Sequence, residues 1–129
     1  MIGSNAFNYI NILKKAADAS WKRNEVISNN IANVDTPGYK RKDVQFESYL
    51  MGALTGDGSL DKRVANVRMD TINPQVYTDY SNLSYRMDGN NVDIDTETAM
   101  LAENQIRYYA LMDSMTQEFN RLKMVLQNK

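Results

Sequence analysis

Ser28-Asn29-Asn30-Ile31-Ala32-Asn33-Val34-Asp35-Thr36-Pro37-Gly38-Tyr39-Lys40-Arg41 decides how this chain folds. Its first half ends a helix and its second half forces a turn. The proline biases Thr36 out of the helical region. Pro37 presets φ for the first central position of a β-turn, and Gly38 permits positive φ at the second, which is the type II pattern. Asn33 and Asp35 are suited to bond local backbone groups at the frayed helix end. A plain helix stop needs no more than this. It does not explain the amides of the last turn, because Asn29, Asn30 and Asn33 are mediocre helix formers. Their placement implies side chains that bond across to another part of the chain.

Reading back from this turn, Ile10, Leu13, Ala17, Ser20, Asn24, Ile27, Ile31 and Val34 are spaced alternately by three and four. That is the period of a coiled-coil seam with two polar interruptions, one of them beside Trp21. No proline precedes Pro37 and no glycine lies between Gly3 and Gly38, so a helix from about Asn5 to Asn33 has nothing internal to break it.

Reading forward, a second seam runs through Leu101, Gln105, Tyr108, Met112, Met115, Phe119, Leu122 and Leu126. Ile106, Leu111 and Val125 widen the stripe, as in a helix with more than one neighbour. Asp93, Asp95 and Glu97 gather at its start and Lys123 and Lys129 at its end, which complements the helix dipole. Asp95 or Thr96 is the expected N-cap.

The fold class read from these features is mainly α. Long N- and C-terminal helices form a coiled-coil-like hairpin around an irregular middle with short β segments. The segments divide as 1–39 (helix and turn), 40–92 (irregular middle) and 93–129 (helix packing on the first), within one structural domain. Met51 to Tyr80 carries Gly52, Gly56, Gly58 and Pro74 and shows no sustained period, so it reads as a long loop. Val44–Leu50 and Leu83–Met87 alternate enough to be strands.

Composition narrows the function. The chain has 129 residues, 15 Lys+Arg against 16 Asp+Glu, and neither cysteine nor histidine. A nucleic-acid binder usually carries a basic excess or face; here the compact basic cluster is Lys40-Arg41-Lys42, read as a solvated loop. Without thiol or imidazole, the usual zinc sites and Ser-His or Cys-His nucleophile systems are excluded. Gly52, Gly56 and Gly58 do not form a phosphate loop. Asp88 to Asp95 fails as a calcium loop, because the fifth position is Val92 and the sixth is Asp93 rather than glycine. The eight methionines read as adaptable packing. No cofactor, metal, catalytic residue or small-molecule substrate is expected. No apolar run reaches the roughly 20 residues of a membrane helix, and Met1–Ala16 lacks the layout of a Sec signal peptide. Two facing helices make a thin core, and chains of this size often need neighbours to be stable.

The stretch from Ser28 to Lys42 resembles the N-terminal signature of the flagellar rod and hook axial proteins. Residues 85–115, YRMDGNNVDIDTETAMLAENQIRYYALMDSM, resemble the C-terminal signature of the FlgB-type, proximal-rod branch. Glu103 to Tyr108 departs from the Gln-Arg/Ala-Tyr pattern of the distal rod and hook branches, and the short length agrees with the proximal one. The residues that carry the resemblance, and the assembly role it implies, are Asn29, Asn30, Ile31, Ala32, Asn33, Thr36, Pro37, Gly38 and Tyr39, with Asn90, Asn91, Val92 and Asp93. It implies a subunit exported by the flagellar type III apparatus without a cleaved signal peptide. It also implies helical polymerisation with its own copies and other rod proteins, beside export-gate and basal-body components. The alternatives are a soluble coiled-coil adaptor or export chaperone, which would stay small, and the sister proximal rod protein.

Overall fold

The three-four spacing of the N-terminal segment builds α1, Ile2–Ala32, and the C-terminal spacing builds α4, Ile94–Gln127, in a computed structural model that describes residues 2–81 and 86–128. At 1.5 Å per residue they are roughly 46 and 51 Å long. They pack side by side and antiparallel: Asn30 of α1 meets Glu97 near the start of α4, and Ser20 meets Asn104 further along. Every position of the N-terminal seam is buried or half-buried, from Ile10 to Ile31 on α1 and at Val34 just past its end.

On α4 the inward line differs from the apolar reading. Leu101, Tyr108, Met115 and Leu122 are half-buried, but Met112, Phe119 and Leu126 are 41%, 49% and 60% exposed, and Gln105 is exposed too. The alternate inward places belong to Glu97, Asn104, Leu111 and Glu118, each one position before a residue of the apolar line or in step with it. The heptad is real, and three of those inward places are polar. An apolar pattern steps over them to the nearest hydrophobic neighbour.

The other side of α1 is lined by small residues. Ala16 and Ala19 let the middle of the chain come close, and Ala19, Phe46 and Ile72 form a core with Leu50, Ala53 and Val67 against it. Truncating a buried phenylalanine such as Phe46 costs about 3–5 kcal/mol.

The middle is more ordered than its composition suggests. Its elements are β1 (Lys42–Gln45), α2 (Glu47–Ala53), α3 (Leu60–Ala65), a 3₁₀ turn (Met69–Thr71) and β2 (Gln75–Thr78). β1 and β2 pair antiparallel, with Asp43 opposite Tyr77 and Val44 opposite Val76. The strand expected over Val44–Leu50 is therefore corrected: it begins at Lys42, stops at Gln45, and the rest turns helical so that Phe46 and Leu50 both reach the core. The long loop expected over Met51–Tyr80 is also corrected. Its elements are too short to show a period, and α3 starts from a cap, Ser59 Oγ accepting the Lys62 N–H at 3.3 Å. The strand expected over Leu83–Met87 falls mostly outside the described residues; Arg86 and Met87 lie in a bend and turn. The cap of α4 is Asp93 rather than Asp95 or Thr96, its Oδ1 accepting the Asp95 N–H at 3.1 Å.

Candidate functional site: a buried polar joint

At Thr36-Pro37-Gly38-Tyr39 the chain makes the expected turn, closed by the Tyr39 N–H on the Thr36 carbonyl at 3.2 Å, with Gly38 at φ +73°. A second turn, around Asp88-Gly89, lies against it. The Gly38 N–H donates to the Asp88 carbonyl at 2.7 Å, and Lys40 Nζ donates to the Gly89 carbonyl. Two glycine turns in contact bring the N-terminal and C-terminal sequence blocks together.

The asparagines then tie the blocks. Asn90, fully buried, aims Nδ2 at the carbonyls of Asn33, Val34 and Thr36 at 2.9, 3.0 and 2.9 Å. It thereby gathers three carbonyls of the turn that follows α1 onto one amide. Its own Oδ1 accepts the Val92 N–H at 2.8 Å. Asn30, also fully buried, reads both backbone groups of Lys42, accepting its N–H at 2.9 Å and donating to its carbonyl at 2.7 Å. Asn91 spans the end of the β1–β2 ladder, accepting the Arg41 N–H and donating to the Asp79 carbonyl, both at 2.7 Å. Tyr39 donates its hydroxyl to Asn30 Oδ1 at 3.1 Å and accepts from Asn29. Of the three amides at the helix end, Asn30 and Asn29 reach beyond it, to Lys42, Glu97 and Tyr39, whereas the Asn33 side chain stays local, on Asn29 and Thr36.

At the centre sits Arg41. Its guanidinium donates to Glu97 at 2.5 Å, Asp79 at 2.6 Å and Asp43 at 3.2 Å. Arg23 of α1 takes the remaining side of Asp43 at 2.8 Å. Glu97 is 1% exposed and also accepts from Asn30 at 3.1 Å. Burial alone would lower the pKa of Arg41, but its three carboxylate partners raise it above the ordinary arginine value. Burial would raise Asp43; Arg23, the Val44 N–H and Arg41 more than offset it and hold the carboxyl below its usual range. Asp79 is also lowered, mainly by the hydrogen bond from Ser81, with Arg41 adding to it. Three carboxylates are each held by a guanidinium, so the cluster has the character of a lock between α1, β1, β2 and α4 and offers no carboxylate free to act as a base.

Of the residues singled out in the sequence, Asn30, Asn33, Tyr39, Asn90, Asn91 and Val92 meet in this joint, and Thr36 contributes its carbonyl. Gly38 contributes its N–H. Asn29, Ala32, Pro37 and Asp93 are exposed at its rim. Sequence reasoning missed Arg41, Asp43, Asp79, Glu97, Arg23 and Asn104. Arg41 is corrected outright: it is buried, not part of a solvated basic loop. The available signal was Glu97, which falls in heptad step with Leu111 and Asn104 and so had to face inward.

Beside the joint a groove of about 630 Å³ runs between α1, α4 and residues 43–50, with Ala19, Phe46, Leu50, Asn104 and Leu111 in its wall. A smaller one of about 380 Å³ lies on the opposite side of the seam, between Trp21, Tyr108, Met112 and Met115.

Comparison with known proteins agrees with this geometry. A family model described as flagella basal body rod protein matches residues 10–40, the span from the α1 seam through the turn. A flagellar basal body rod protein FlgB from Bacillus subtilis (strain 168) is 39% identical over 115 residues, covering 88% of this chain and 89% of that protein. The FlgB of Borreliella burgdorferi is 34% identical over 81% of this chain and 84% of its own length, and that of Escherichia coli (strain K12) is 32% identical over 89% and 90%. With long terminal helices, joined turns and relatives matched nearly end to end, the chain belongs to the FlgB family of flagellar basal-body rod proteins and is a structural subunit of the rod.

Proposed function

We propose that this subunit builds the proximal part of the rod, polymerising helically with its own copies and with other rod proteins as part of the motility drive shaft. It folds as one structural domain, is exported by the flagellar type III apparatus without a cleaved signal peptide, and performs no catalysis. The observation that carries the reading is the apolar surface left on the helices after they have packed on each other. Trp21, Tyr108 and Tyr109 form a run of contacting rings, Ile106 lies one turn from Tyr109, and Trp21, Ile106 and Tyr109 are each more than 60% exposed; contiguous apolar surface on a small protein marks contact with other chains.

The test is incorporation. Tyr109→Asp and Ile106→Asp lie on the outward side of α4 and leave the joint untouched. Both variants should keep the helical circular dichroism of the parent, yet be depleted at least tenfold from purified basal bodies on immunoblot. Normal incorporation with normal swimming on soft agar would refute the reading that this face meets neighbours.

A further inference from the structure

In an antiparallel pair, residues alternate between those bonded to the partner strand and those whose N–H and C=O point away. The Asp79 N–H donates to the Arg41 carbonyl at 2.9 Å, which with the register of β1 and β2 makes 43/77 and 45/75 the bonded rungs. Lys42 and Val44 therefore point outward from one edge, and Val76 and Thr78 from the other. The β1 edge is fully engaged where it matters. Asn30 takes both groups of Lys42, and Asp43 Oδ1 takes the Val44 N–H at 2.7 Å.

The β2 edge is open: among the described residues nothing bonds the outward groups of Val76 and Thr78. Its sequence is Gln75-Val76-Tyr77-Thr78, without a charge, and Val76 and Tyr77 are 45% and 43% exposed. Edge strands are usually blunted by charge, proline, a bulge or a covering element. This one has proline only at its start, Pro74.

We propose that the open β2 edge pairs with the β2 edge of a second copy, antiparallel about a two-fold axis, to give a closed dimer of the unassembled subunit. The register follows from the chemistry. Setting Val76 opposite Thr78 of the second copy, in both directions, uses every outward N–H and C=O. Sliding the strands by two one way brings Thr78 opposite Pro74, which has no N–H to give. Sliding the other way sets Thr78 against itself and Val76 beyond the end of the opposing strand. In the favoured register the two Tyr77 residues face each other as a non-hydrogen-bonded pair, with Cα atoms roughly 4.5 Å apart. Exposed Tyr80 lies opposite Pro74, and Gln75 opposite Asp79, whose charge Arg41 already holds. No like charges meet.

A strand this short buries less than the roughly 1,000 Å² of a durable interface, so the dimer is weak and seen at high concentration. Being two-fold, it closes on itself and cannot grow into a fibre. Subunits that all point one way along a rod cannot keep it, so pairing ends when the subunit is incorporated. The pairing does not depend on the rod reading, and its test is separate.

The chain has no cysteine, so a single introduced thiol reports proximity. Cysteines at a non-hydrogen-bonded antiparallel pair fall within the Cα range of a disulfide. On mild oxidation of the purified full chain, Tyr77→Cys should form disulfide dimer at least tenfold faster than Thr55→Cys, a control in an exposed loop turn. Adding Val76→Pro removes an outward donor and should bring the rate down to the control. Val76→Lys, which blunts the edge by charge, should do the same where proline lowers the helical signal. Equal rates for Tyr77→Cys and Thr55→Cys, the result also expected if another chain covers this edge, would overturn the proposal. So would a fast rate that neither Val76 substitution reduces.

Discussion

Arg41→Met removes the guanidinium at the centre of the joint while keeping much of its apolar length. Three contacts go: Glu97 at 2.5 Å, Asp79 at 2.6 Å and Asp43 at 3.2 Å. Asp43 still has Arg23 and Asp79 still has Ser81. The loss therefore falls on Glu97, left 1% exposed with only the Asn30 amide at 3.1 Å. Stripping one partner from a buried ion pair costs about 3–5 kcal/mol, because the other charge stays in place without compensation. Set against a total of roughly 5–15 kcal/mol for a domain, that is a large fraction. With a urea slope of about 1–3 kcal/mol per molar, the unfolding midpoint at pH 7 should fall by more than about 1 M. Arg68→Met breaks an exposed pair with Asp70 at 3.3 Å and should stay within about 0.5 kcal/mol of the parent. Adding Glu97→Gln to Arg41→Met should recover more than about 1 kcal/mol, since the uncompensated charge is gone. Urea unfolding followed by circular dichroism measures all of these. The reasoning fails if Arg41→Met costs no more than Arg68→Met, or if the double variant is as unstable as the two single losses added together.

Gly38→Ala should destabilise by about 1 kcal/mol or more, because φ +73° opposes a side chain even though the space is open. In contrast, Gly52→Ala in α2, with open space and no positive φ, should stabilise by about 0.5–1 kcal/mol; thermal melts of the pair check the contrast. Asn90→Asp should be worse than Asn90→Ala, since it removes the donor from three carbonyls and sets a carboxylate against them; each is expected to cost at least about 1–3 kcal/mol in the same urea assay. Acid should loosen the joint. Asp43 and Asp79 have folded-state pKa values below the ordinary one, so their contribution is present above the unfolded value of about 3.9 and is lost as pH falls through the lower folded values. A urea midpoint that is flat between pH 3 and pH 6 would contradict this.

The hairpin was legible because α1 keeps its apolar residues on one line and α4 keeps half of them there. The turn was legible because Pro37 and Gly38 leave the backbone little choice. Asn30 and Asn90 advertised themselves as polar residues where helix or turn economy wanted something else. The centre of the joint was not legible, because Arg41 and Glu97 are ordinary as letters: one sits between two lysines, the other among acids at a helix start. Only the meeting of segments 56 positions apart turns them into a buried pair. The middle hid for a different reason. α2 and α3 are each shorter than two helical turns and the strands have four residues apiece, too few for a sustained pattern, and their order comes from docking on Ala16 and Ala19 rather than from propensity.

The ties between the two long helices are unevenly placed, and this gives the subunit a stiff end and a yielding one. Hydrogen bonds join α1 to α4 at Asn30–Glu97, Arg23–Met100 and Ser20–Asn104. From there to the far ends of both helices no hydrogen bond or ion pair joins α1 to α4 among the described residues, and the inward side chains are mostly apolar, Ile10, Leu111 and Leu122 among them, with Glu118 the polar exception. Directional bonds resist sliding and twisting and then break abruptly; greasy side chains let one helix shift slightly over the other at little cost. Mechanically the pair is a beam clamped at the joint and sprung along its remaining length. Torque applied near the joint passes straight into the strands and turns, whereas strain applied at the helix tips is absorbed by side-chain repacking before it reaches them.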